Sequence, residues 1–306
     1  MGLRIRASAR AFLTALIGVL LCSACGLTGP GDAATQPSSL DGTPSPTPPS
    51  SRSASPSPTL PSTQSSECFT KLSTYRLGIR RTGAVTAADE RVVASALRLA
   101  RRHFDVRVPK CEPGNVSASV LDRTNDQFAA GTFVSAAPHF RIEIYAGGRA
   151  WARTPPAQVP LTILHEWYHV LQHSLLSCDP PRCRVQPGPI PGWLIEGGAE
   201  FAAVQAARDE RLPFSSLLRR SELDRAAQVH IPLQRIHEIR TSAEYGLAFA
   251  AVELLVRRAD PDALMRFWRR AGSSGSWERA FADAFGTTPA RFYRAFAAYR
   301  ARGFRT

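Results

Sequence analysis

Apolar and polar positions follow two rhythms along this chain. Between residues 86 and 104, Val93, Leu97, Ala100 and Phe104 recur every three or four residues, which predicts an amphipathic helix. Its arginines, Arg91, Arg98, Arg101 and Arg102, form the wet face, and Thr86 followed by Asp89 resembles a capping box. Residues 116–121 and 141–145 alternate with period two and predict strands. In the second of these, RIEIY, Ile142 and Ile144 face a core while Arg141, Glu143 and Tyr145 face outward. Residues 161–176 are apolar nearly all round, the mark of a buried helix. A proline-rich loop over 178–192 follows, and a second helix starts near Trp193. The last third predicts four helices: 243–258, 261–270 with Asp260 as N-cap, 276–285 ending at Gly286, and 289–302 after a Thr288 cap. A small N-terminal sheet followed by helices predicts an α+β domain.

The first 66 residues do not fit that domain. Residues 1–25 carry Arg4, Arg6 and Arg10, then an apolar run from Ala11 to Leu21, then small residues, as a secretory signal does. The run is too short to span a bilayer. Cys22-Ser23-Ala24-Cys25 resembles a bacterial lipobox, departing from it at Cys22, where leucine is usual. The resemblance implies a lipid anchor on Cys25 and a place on the outer face of the membrane; cleavage to a freely secreted form is the alternative. Residues 26–66 read as a tether. Of the 30 residues from 37 to 66, 23 are Ser, Thr or Pro, too little apolar surface to offset the entropy of ordering. The folded domain is then 67–306, read as a monomer.

The formal charge is +13, and the three signal arginines account for +3 of it, leaving +10. Lysine occurs only at Lys71 and Lys110, so arginine supplies nearly all of it. A solvated basic surface explains this better than a nucleic-acid partner, because no basic motif interleaved with stacking aromatics is present. Of six cysteines, Cys22 and Cys25 belong to the signal. Cys68, Cys111, Cys178 and Cys183 remain, an even number that suggests disulfides in an exported protein. Three pairings exist; the favoured one joins Cys68 to Cys111 and Cys178 to Cys183.

The chemistry concentrates in HEWYH, residues 165–169, on the buried helix. His165 and His169 are four apart and point from one face, where both imidazoles can reach a single ion. Glu166 lies about 100° further round the helix, beside the ion, where a carboxylate can act as a general base. A catalytic zinc needs a third protein ligand and keeps a fourth position open. Glu196, in WLIEGGAEF (193–201), can supply that ligand. Gln172 and Leu175 stand where a metzincin would have glycine and a third histidine. His173 cannot join, since histidines at i, i+4 and i+8 span about 12 Å and cannot share an ion at about 2.1 Å each; it reads as a packing or rim residue. Gly197, Gly198 and Ala199 would let the second helix approach the first closely.

HExxH followed by WLxEGxAE resembles the gluzincin metallopeptidases, most closely the peptidase MA-like branch and more distantly the zinc aminopeptidases and thermolysin. The resemblance implies a zincin-like fold with a C-terminal helical lobe, and one Zn2+ held by His165, His169 and Glu196. It makes Glu166 the base and proton shuttle in hydrolysis of a peptide or protein substrate. Glu200, four residues after Glu196, would orient His165; a solvated helix charge is the plain alternative. The family also keeps a tyrosine or histidine in the helical lobe as oxyanion donor. Tyr245 holds that position, with His237 and His230 as weaker substitutes. Substrate adds to an edge strand preceding the zinc helix in such enzymes, and RIEIYAGG is the candidate by position. Two other classes stay open: a catalytically silent peptide-binding lipoprotein, and an envelope protein with a merely stabilising metal.

Overall fold

A computed structural model describes residues 68–123, 129–136, 139–176 and 189–305. Cys25, the tether, Cys178 and Cys183 lie outside the described residues. Mixed sheet and helix confirm the α+β class, with one long helix inside the strand region and the remaining helices after it.

A four-stranded sheet runs β2 (Arg76–Arg81), β4 (Asn115–Leu121), β6 (His139–Tyr145), β5 (Ala130–Ala136). The first two pairings are parallel and the last is antiparallel. The expected period-two pattern holds: Val116, Ala118, Val120, Phe140, Ile142 and Ile144 are buried, while Ser117 and Arg141 are exposed. RIEIY is not an edge strand. It lies on β6, hydrogen-bonded to β4 on one side and β5 on the other. The sheet edges are β2 and β5, and β5, AGTFVSA, carries only a short Thr-Phe-Val strand signal in the letters.

Strand β1 (Thr70–Lys71) pairs with β3 (Arg107–Val108), and the Cys68–Cys111 disulfide closes the ends of that ribbon. Between them runs α1 (Ala87–His103), whose Val93, Ala96, Leu97 and Ala100 form the buried stripe. Thr86 Oγ1 accepts from Asp89 N at 3.1 Å and so caps the helix, while the Asp89 carboxylate accepts from the Thr86 hydroxyl at 2.5 Å. A short α2 (Arg149–Arg153) precedes α3 (Val159–Leu176), which carries HEWYH and is buried along almost its whole length.

The helical part comprises α4 (Gly192–Asp209), α5 (Ser215–Ala226), α6 (Ser242–Arg258), α7 (Ala263–Ser274), α8 (Trp277–Phe285) and α9 (Pro289–Ala301). Helix α4 packs against both α3 and α6. Its paired glycines face different neighbours: a Cβ at Gly197 would lie 2.5 Å from Ala248 O on α6, and one at Gly198 would lie 3.2 Å from Gln172 Nε2 on α3. Only Gly198 therefore serves the approach to the HEWYH helix. Asp260 does not cap α7 directly. It accepts from Asp262 N at 2.9 Å and pairs with Arg266, so the helix starts later than the letters suggest. No helix among the described residues is long and apolar enough to cross a membrane.

Candidate metal centre

Three donor atoms from two helices converge. His165 Nε2 and His169 Nε2, one turn apart on α3, are 3.0 Å from each other. Glu196 Oε2, from the first turns of α4, lies 3.3 Å from the former and 3.4 Å from the latter. Two ligands of a tetrahedral ion held at about 2.0–2.1 Å stand roughly 3.3 Å apart. The triangle therefore has the size of one face of such a shell, and these residues could hold a metal ion. All three are buried.

The far side of each imidazole is held as well, which leaves both Nε2 atoms to face Glu196 Oε2. His165 Nδ1 sits 3.0 Å from Glu200 Oε2, the partner expected for Glu200. His169 Nδ1 sits 2.7 Å from Gln172 Oε1, and Gln172 Nε2 donates to Ile195 O at 2.9 Å. A hydrogen bond on Nδ1 settles the tautomer and raises the donor strength of the other nitrogen. Burial drives the Glu196 carboxyl toward neutrality, but the facing His169 and His165 outweigh it and hold its pKa below the usual carboxylate range.

Glu166, next to His165 in the chain, is fully buried. Its carboxylate is held from the sheet: Thr132 Oγ1, on edge strand β5, stands 2.7 Å from Glu166 Oε2 and 2.9 Å from Glu166 O. The ring of Tyr245 packs edge-on against His165 with centroids 5.9 Å apart. It is placed there by a capping box of Thr241 and Glu244 at the start of α6. His230 and His237 are exposed, and His237 contributes its carbonyl to Gly192 N at 3.0 Å. His173 lies next to Phe140, their rings 6.5 Å apart, in the packing role expected of it.

Sequence reasoning missed Thr132, Gln172 and a buried Arg225–Glu222 pair behind Glu200. Gln172 had a signal, sitting one turn beyond His169; Thr132 and Arg225 have none without the fold. A separate cavity of about 1240 Å³ is bordered by Tyr168, Leu171 and Phe201, and no member of the metal triangle lines it.

Compared with family models, curated proteins and solved structures, the chain matches none of them.

Proposed function

We propose that this protein is a zinc-dependent metallopeptidase of gluzincin type. The observation that carries the reading is the 3.0, 3.3 and 3.4 Å triangle of His165, His169 and Glu196, with the buried carboxylate of Glu166 on the residue next to His165. Two imidazoles and one carboxylate are the donor set of a catalytic rather than a closed structural zinc. Bound there, zinc would polarise a scissile carbonyl and acidify a water.

The chain's own residues supply the rest. Glu166, aimed by Thr132, takes a proton from the attacking water and returns it to the leaving amine. Glu200 and Gln172 keep the two imidazoles in register. Tyr245 serves as the donor to the developing oxyanion. The edge of β5 that no strand pairs among the described residues binds the substrate backbone as an added strand, because edge N–H and C=O groups recognise a peptide whatever its side chains. Zincin-likeness of the fold, the signal with lipidation at Cys25, and a site of action on the outer membrane face belong to the same proposal.

A purely stabilising metal is the second reading, favoured by the burial of all three donors. Glu166→Gln separates the two. On the peptidase reading the variant keeps its zinc while chelator-sensitive cleavage of a peptide library falls about 100-fold or more. If wild type and variant both bind zinc and are equally inert, the ion is structural.

A further inference from the structure

Arg225 is the one buried arginine among the described residues, 4 % exposed in a chain whose other described arginines reach solvent. A guanidinium is taken out of water at heavy cost unless carboxylates meet it. Two do. Arg225 Nη2 donates to Glu222 Oε1, one turn earlier on α5, and stands 3.7 Å from Glu200 Oε1 on α4. Both glutamates are buried, at 0 % and 1 %. Glu200 Oε1 accepts no hydrogen bond among the described residues, while its other oxygen faces His165 Nδ1. The guanidinium is thus the cation that faces the outer oxygen of Glu200.

The approach of α5 has its own cause. A Cβ at Gly246 on α6 would lie 2.5 Å from Glu222 O and 2.8 Å from Arg225 Cβ, so only glycine lets α5 settle this deep. Gly246 adjoins Tyr245, whose ring packs on His165. Two elements without a metal donor are thereby drawn against the centre.

Resting on the reading that the triangle holds zinc, we propose that Arg225 is a positioning residue of the metal centre. It holds the Glu200 carboxylate aimed at His165 Nδ1, and Glu222 holds Arg225 in place. Helix α5 then sets metal affinity without touching the metal. Carboxylates that orient a ligating histidine change metal affinity about 10–100-fold when lost. Removing the cation behind such a carboxylate should reproduce much of that change.

The test uses the zinc dissociation constant of the full chain, measured by competition with a chromophoric chelator, and thermal unfolding with and without zinc. Arg225→Met is expected to weaken zinc binding at least 10-fold, Arg225→Lys to recover part of it, and Glu222→Gln to fall between. Glu200→Gln combined with Arg225→Met should bind zinc no more weakly than Glu200→Gln alone. A merely structural arginine would lower both melting temperatures equally and leave the dissociation constant unchanged, which overturns the proposal. If Arg225→Met fails to fold, the Lys and Gln variants carry the comparison. Wild-type protein that takes up no zinc would overturn the metal reading and this proposal together; a wild type that binds zinc with variants that match it overturns this proposal alone.

Discussion

His169 Nδ1 and Gln172 Oε1 are 2.7 Å apart, and the same Gln172 side chain donates to Ile195 O across the helix interface. One amide therefore ties the tautomer of a candidate ligand to the backbone one residue before Glu196, another ligand. Gln172→Leu keeps the volume and removes both bonds. Its zinc affinity should fall about 10-fold or more, with helicity unchanged, as read by chelator competition and circular dichroism. Unaltered affinity would mean that the amide is only packing.

Thr132 makes a separable prediction. Its hydroxyl stands 2.7 Å from Glu166 Oε2, and Thr132→Val deletes that donor at nearly constant shape. A hydrogen bond to a charged group contributes about 1.5–3 kcal/mol, or roughly 10–100-fold in rate if it acts in the transition state. The expected result is a lower kcat with zinc content and KM little changed. A variant that loses zinc instead would place Thr132 in support of the ligands rather than the base.

The Cys68–Cys111 bridge spans 43 residues and fastens the ends of the β1–β3 ribbon. Closing a loop of that length constrains the unfolded chain by about 4 kcal/mol in the entropic model, with measured bridges commonly giving about 2–4. A Cys68→Ser/Cys111→Ser chain should lose about that much in denaturant unfolding. Its zinc affinity should be unchanged, because neither cysteine belongs to the donor triangle.

Gly246 tests the packing that brings α5 inward. Gly246→Ala would gain helix propensity of about 1 kcal/mol, yet its methyl meets backbone at 2.5 Å. Overpacking of this kind typically costs about 1–3 kcal/mol. Net destabilisation is expected in urea melts; stabilisation would show that α5 can retreat freely.

The parts of this molecule that the letters reveal are those set by short-range periodicity. The HEWYH helix is legible because every face of it is apolar, and the His165 and His169 pair because four residues make about one turn. Glu200 could be matched to His165 only through the resemblance to the gluzincin pattern, in which a carboxylate four residues after the third ligand orients a histidine. Edge strand β5 was not legible: in AGTFVSA the central Thr-Phe-Val run is too short to alternate and is flanked by Ala, Gly and Ser, and its placement follows from pairing with β6. Arg225 was hidden for a different reason. In a chain so rich in arginine, a single buried one looks like its solvated fellows until tertiary contacts separate them.

Acid should act on this fold through two groups of the same sign. Burial and the neighbouring His169 depress the His173 imidazole to about 4, with Glu196 pulling weakly the other way. An unfolded histidine titrates near 6.5, so between about pH 6.5 and 4 the unfolded chain binds more protons and stability falls as pH is lowered. Below that window His173 contributes nothing further. Glu196, whose folded pKa is also depressed, adds its own loss once the pH drops under the ordinary carboxylate range. The His173 share is on the order of 1–3 kcal/mol after allowing for its partial exposure. Urea melts of zinc-free protein at pH 7.5, 6 and 5 would measure it, and His173→Gln should flatten that dependence. Parallel curves for the two proteins would show that the imidazole is solvated enough to titrate normally.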